Sequence, residues 1–140
     1  MECEYPELNA TPGEIKEIIK NSKIIAVVGL SADEFKISYK VAEYLQRHGY
    51  RIIPVNPKYQ KILGERCYPD LKSVPEKVDI VNIFRRSDAI PPIVDEAIEI
   101  QAKVIWMQTG LINNAAAEKA RNAGLKVVMN KCTKIEHSNI

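Results

Sequence analysis

Five short runs of apolar, mostly β-branched residues mark this chain: IIAVVG from Ile24, RIIPV from Arg51, VDIVNIF from Val78, VIWMQ from Val104 and KVVMN from Lys126. Runs so short and so rich in Val and Ile suit strands buried on both faces of a parallel sheet. The segments between most of them have helical spacing. Val41, Tyr44, Leu45 and His48 form one stripe, with Gly49 as its stop. Ile90, Ile93, Val94, Ala97 and Ile98 form a second, whose Pro91 and Pro92 belong in a first turn. Ala116, Ala120 and Ala123 give a thin small-residue face ending at Gly124. Ahead of the first strand, Thr11-Pro12-Gly13-Glu14 reads as a capping box leading a helix with Ile15, Ile18 and Ile19 inside. This alternation predicts an α/β fold, a Rossmann-like doubly wound five-stranded parallel sheet, with strand order 3-2-1-4-5 expected. Only Tyr59 to Pro75 breaks the rhythm; it reads as a loop with a short hairpin around Gly64 and one helical turn.

At 140 residues the chain suits one domain, 1–140, and its 46% hydrophobic content is enough for a core without disulfides. A net charge of +2 with no basic run argues against a nucleic-acid partner. No apolar stretch approaches the roughly 20 residues of a membrane span. The start, Met1 to Pro6, has no basic or apolar leader region, so a cytoplasmic location is expected. Cys3, Cys67 and Cys132 are too scattered for a disulfide framework, and with His48 and His137 they do not form a metal-ligand pattern. His48 sits on the apolar stripe and reads as structural; His137 receives no role.

Ligands of such sheets bind beyond the carboxyl ends of the strands. After the first strand, Gly29-Leu30-Ser31 lets backbone approach an anion and offers a hydroxyl, while a helix opening near Ser38 aims free N–H groups at the same place. Lys36 lies in that loop. The dinucleotide fingerprint is missing, because Leu30 to Tyr39 contains no glycine. The acidic residue that would hold a ribose diol after the second strand is missing too. Asn56-Pro57-Lys58 stands there instead, which suits a phosphorylated ribose, as in NADP or the 3′-phosphate of coenzyme A. The same residues also satisfy a plain Asn-Pro turn with a solvated lysine. Arg85 and Arg86 close the third strand; one faces the ligand, and the other stays on the surface or pairs with Asp88. Trp106 reads as core, and Gln108 as an amide able to read an adenine edge or a pantetheine amide. Asn130 reads as a helix N-cap, placing Cys132 in a first helical turn beside Lys131 and Lys134, where thiolate is favoured; the competing reading is a small buried hydrophobe.

These pieces resemble the small stand-alone CoA-binding proteins of bacteria and archaea, Rossmann-like domains similar to the CoA-binding domain of succinyl-CoA ligase α subunits. The matching segments are VVGLS (Val27–Ser31), SYKVAEYL (Ser38–Leu45), GYRIIPVNP (Gly49–Pro57), ILGERCYPDL (Ile62–Leu71), VDIVNIFRRSD (Val78–Asp88), VIWMQTG (Val104–Gly110), AGLKVVMNKC (Ala123–Cys132) and KIEH (Lys134–His137). Asn130-Lys131 departs from the Asp-Arg of many relatives. The resemblance implies coenzyme A or an acyl-CoA as ligand. Its phosphates and adenosine would lie near Gly29, Leu30, Ser31, Lys36, Ser38, Asn56, Pro57 and Lys58. Phe84, Arg85, Arg86 and Gln108 would line the pantetheine side, with Asn130 and Cys132 near the thiol. No acid–base pair appears at the strand ends, so the expected role is non-catalytic binding, with a Cys132–CoA mixed disulfide as the sharper expectation. The alternative is an enzyme, either NADP-dependent or a CoA-disulfide thiol redox protein. A protein partner is not readable.

Overall fold

The structure, a computed structural model, describes residues 5–140; Cys3 and the rest of the chain start lie outside the described residues. Its helices are α1 Pro12–Asn21, α2 Ile37–Arg47, α3 Ile90–Glu99, α4 Asn114–Asn122 and α5 Thr133–Ser138. Its strands are β1 Ile24–Val28, β2 Arg51–Val55, β3 Lys61–Ile62, β4 Glu65–Arg66, β5 Ile80–Ile83, β6 Val104–Met107 and β7 Lys126–Val128. The five longer strands form one parallel sheet, and β3 and β4 form the small antiparallel hairpin around Gly64. A 3-10 turn at Leu71–Ser73 follows the hairpin.

Alternation along each strand sends side chains to opposite faces. Ile25 and Val27 of β1 join Ile52, Ile80 and Trp106 beneath α1 and α2, which bury Ile15, Ile18, Ile19, Val41, Ala42 and Leu45. Ala26 and Val28 face the other way, with Ile53, Val81, Ile105 and Met107, beneath α3 and α4. The α1 capping box is complete: Thr11 Oγ1 accepts from Glu14 N, and Glu14 Oε1 accepts from Thr11 N. Both prolines of α3 sit at its start. On α4 the buried alanines are Ala116, Ala117 and Ala120; Ala123 is the exposed C-cap. His48 is not on the buried stripe. The helix ends one residue earlier, and His48 is an exposed C-cap whose Nδ1 donates to the Tyr44 carbonyl at 2.7 Å.

The strand order is β2-β1-β5-β6-β7, which counts as 2-1-3-4-5 among the five long runs rather than the expected 3-2-1-4-5. The cause lies in Pro54. Tyr68 N donates to the Pro54 carbonyl at 2.9 Å, and Asn56 N donates to the Tyr68 carbonyl at 2.8 Å, so Pro54 presents its carbonyl, and its hydrogen-less nitrogen, to the outer side of β2. A strand with proline on that side cannot carry a full ladder there and belongs at an edge. The chain covers this edge with the hairpin and a single bridge at Tyr68. It then crosses back over β1 to lay β5 on the other side. The order in which strands are added therefore reverses between β1 and β5, which remain parallel, and a crevice for a ligand is expected at such a switch point.

Candidate functional site

At the reversal point the loops after β1 and β5 touch. Gly29 N donates to the Val55 carbonyl at 2.9 Å, and Phe84 N to the Val28 carbonyl at 2.8 Å. Gly29 has φ +85°, and a Cβ there would run into the Phe84 carbonyl oxygen and come within 2.9 Å of Arg85 Cδ. Only glycine permits both the backbone angle and this approach. The Arg85 stem thus lies across Gly29. Among the described residues no carboxylate pairs with the Arg85 guanidinium, whereas Arg86 sits 3.6 Å from Asp88, as expected for one of the two.

The first loop is closed by its own polar groups. Ser31 N donates to Ser38 Oγ at 3.1 Å, Asp33 N to Ser31 Oγ at 3.0 Å, and Phe35 N to Asp33 Oδ1 at 2.9 Å. Ser38 is buried by this role. Lys36 is the N-cap position of α2 and supplies no side-chain cap, so the first N–H groups of an eleven-residue helix remain open toward the strand ends. Leu30 is fully buried and its carbonyl accepts from Asn56 Nδ2 at 3.0 Å. Asn56 Oδ1 also accepts from Lys58 N at 3.0 Å. The amide read as a ribose contact is thus bonded at both ends and ties the first loop to the second, making the Asn-Pro-Lys turn rather than facing outward. Lys58 and Pro57 are exposed beside it.

Gln108 is likewise engaged, through its amide nitrogen. It is buried, and its Nε2 donates to Asn82 Oδ1 at 2.5 Å and to Thr133 Oγ1 at 3.0 Å; Asn82 Nδ2 donates to Thr133 Oγ1 at 3.1 Å. This triad pins the start of α5 onto β5 and β6. Asn82 and Thr133 went unnoticed in the sequence, although an Asn inside an Ile/Val run signals a buried polar group that requires partners. Trp106 is fully buried, and its Nε1 donates to the Lys131 carbonyl at 2.8 Å. Asn130 is not a helix cap: it has φ +58°, and its Oδ1 accepts from Gly110 N at 2.8 Å, lacing the β6 and β7 loops together. The N-cap position of α5 falls on Cys132 itself, without a side-chain cap bond.

Between these loops lies a cleft of about 800 Å³ walled by Ile37, Phe84, Arg85, Arg86, Gln108, Thr109, Leu111, Cys132 and Ile135. Arg85 also borders a smaller hollow of about 280 Å³ beside Pro57, Pro69 and Leu71. The structure brings Phe84, Arg85, Arg86, Gln108 and Cys132 to one cleft, while Gly29, Leu30, Ser31, Lys36, Ser38, Asn56, Pro57, Lys58 and Asn130 are not among its walls. Ile37, Leu111 and Ile135 are walls that the sequence reading missed, since an exposed isoleucine has no local signature. Cys67 is buried, its thiol donates to the Asn56 carbonyl at 3.2 Å, and burial pushes its pKa up. His137 belongs to a separate group, its Nδ1 2.9 Å from the Tyr44 hydroxyl. Among the described residues, no helix is long and apolar enough to cross a membrane.

Comparison with known proteins adds ancestry to this geometry. An uncharacterized protein of Bacillus subtilis (strain 168) is 42% identical over 130 residues, covering 93% of this chain and 96% of that one. The ADP-forming acetate–CoA ligase I of Archaeoglobus fulgidus is 31% identical over 120 residues, which is 79% of this chain but 18% of the ligase. The solved structure of a hypothetical protein from Pyrococcus horikoshii OT3 superposes with a TM-score of 0.91 at 39% identity, covering 99% of this chain and 98% of that one. The family model for the CoA binding domain matches residues 23–138, and the chain therefore belongs to the CoA-binding domain family.

Proposed function

We propose that this chain binds coenzyme A or an acyl-CoA over the carboxyl ends of β1, β2, β5 and β6, and performs no catalysis on it. The observation that carries the reading is the seam where Gly29 admits the Phe84 carbonyl and the Arg85 stem, next to the uncapped start of α2. Open N–H groups at a helix start favour phosphate through hydrogen bonding and the helix dipole. A guanidinium fork matches phosphate oxygens. On this reading the phosphates meet Gly29, Leu30, Ser31, Lys36 and Arg85, with Ser38 holding the loop in shape. The adenosine end lies near Asn56, Pro57 and Lys58. The pantetheine arm runs past Phe84, Arg86 and Gln108 toward Cys132, with Asn130 at the rim. The residues lining the cleft include no carboxylate and no imidazole, which supports a binding role over acid–base chemistry. The ligase relatives match this chain over only a part of their length, and ligation is no part of the proposal.

Identifying the small molecule released on denaturing the purified protein is the direct test. Calorimetric titration of CoA, 3′-dephospho-CoA and NADP refines it. CoA is expected to bind tightest, and Arg85→Ala to weaken it about tenfold or more, the range of a charge-assisted hydrogen bond. Tighter binding of NADP would overturn the reading in favour of a nicotinamide enzyme. Equal affinity for CoA and its dephospho form would remove the role given to Lys58.

Cys132 is the one described cysteine on the cleft wall, and this position supports capture of the ligand's thiol. Its thiolate attacks the S–S bond of CoA disulfide, a Cys132–CoA disulfide forms, and one CoA leaves as a thiol, so electrons balance without a further oxidant. Incubation with CoA disulfide and intact-mass analysis checks it: a CoA-sized adduct, removed by reductant and missing in Cys132→Ser, is expected. No adduct on the native protein would sink this step.

A further inference from the structure

The cleft is larger and more apolar than a bare thiol requires. Besides Phe84, its apolar walls are Ile37, Leu111 and Ile135, and Ile37 and Ile135 are 69% and 54% exposed. Large exposed aliphatics gathered round one concavity mark a surface that something apolar covers. Gln108, the most buried polar side chain of the wall, has its amide nitrogen committed to Asn82 and Thr133. It keeps no N–H donor for a ligand, and the aliphatic side chains around it favour a hydrocarbon. Arg85, whose guanidinium has no carboxylate partner among the described residues, also lines the cleft, and a guanidinium is complementary to phosphate. One molecule combining an anionic head with an aliphatic tail matches both features.

We propose that this cleft receives an aliphatic acyl chain of several carbons, presented as a CoA thioester, with the tail against Ile37, Leu111 and Ile135 and the thioester sulfur near Cys132. The inference rests on the CoA reading and narrows it, from any form of the cofactor to its lipophilic acyl esters. An acyl-CoA has no S–S bond for Cys132 to attack, so it forms no Cys132–CoA disulfide and, by filling the cleft, keeps CoA disulfide out. Acyl-chain length is then what the protein senses.

Calorimetric titration of the full chain with CoA, acetyl-CoA, butyryl-CoA and octanoyl-CoA tests this. Octanoyl-CoA is expected to bind at least tenfold tighter than acetyl-CoA, with butyryl-CoA between them. Ile135 is exposed, so Ile135→Ser leaves the core intact, and it is expected to cut the octanoyl advantage below threefold. The native protein is also expected to lose its adduct with CoA disulfide when octanoyl-CoA is present in excess. Equal affinity for the four ligands overturns the acyl inference and leaves the CoA reading standing. No binding of any of them overturns both. A dimer in sedimentation that buries Ile135 and is unaffected by octanoyl-CoA also overturns it, since a second copy would then be the cover.

Discussion

Substituting alanine at Gly29 tests whether the seam between β1 and β5 depends on close approach as well as on a backbone angle. Gly64 supplies the control. Its φ is +75° and nothing lies within 4 Å of a Cβ built there, whereas Gly29, at φ +85°, has Arg85 Cδ at 2.9 Å and the Phe84 carbonyl carbon at 3.1 Å. An L-residue in the left-handed region costs about 1–2 kcal/mol. Some of that, roughly 0.4–1 kcal/mol, is offset by the stiffer unfolded chain. Gly64→Ala should therefore lose about 1 kcal/mol. Gly29→Ala incurs the same loss plus an overlap that neither partner relieves cheaply, because Phe84 N is bonded to the Val28 carbonyl and Gly29 N to the Val55 carbonyl. Overpacking of that kind adds about 1–3 kcal/mol, for a total of roughly 3 kcal/mol. At about 3 °C per kcal/mol for a chain this size, Tm falls by about 9 °C. Urea unfolding followed by circular dichroism measures both variants, and CoA titration should show Gly29→Ala weakened well beyond Gly64→Ala as Arg85 is pushed aside. Equal stability of the two variants would refute the close-approach argument.

Three further outcomes follow from the structure. Thr133→Val keeps the shape but deprives Asn82 Nδ2 and Gln108 Nε2 of an acceptor; a loss of about 2–3 kcal/mol is expected in chemical denaturation, and a change near zero would contradict the buried triad. Trp106→Phe leaves the Lys131 carbonyl without its donor; about 1–3 kcal/mol should be lost, with faster alkylation of Cys132 as the α5 entry loosens. Burial, and then the neighbouring His48, hold the His137 pKa below its ordinary 6.5, so the unfolded chain takes up a proton that the folded one refuses. That contribution is complete above pH 6.5 and is lost as pH falls through the window below it; unfolding at pH 8 and pH 5.5 should show a smaller difference for His137→Gln than for the native chain.

Much of this architecture is written locally. The α1 capping box, the proline entry to α3, the glycine after α2 and the hairpin around Gly64 each depend on residues within a few positions of one another. Such signals survive without knowledge of the rest of the fold. Strand order does not, because it depends on which edges meet; yet Pro54 already argued that the second run lies at an edge, and that signal was missed. The site shows the same division. Gly29, Arg85 and Cys132 were legible as residue types at strand ends. Asn56 and Gln108 looked like free amides, and only folding supplied the Leu30 carbonyl, Asn82 and Thr133 that engage them.

By itself, then, the sequence determined an α/β chain of five parallel strands, the loops at which an anion would be met, and a likeness to CoA-binding domains. Tertiary structure decided which loops are neighbours. With the expected order, Gly29 would have stood between Asn56 and Gln108, and Arg85 would have been stranded at the far edge. The observed order puts β5 against β1, and the Arg85 stem comes to lie on Gly29. The physical reason is that hydrogen-bonded edges and side-chain contacts join residues more than fifty positions apart, a distance over which no local pattern carries information.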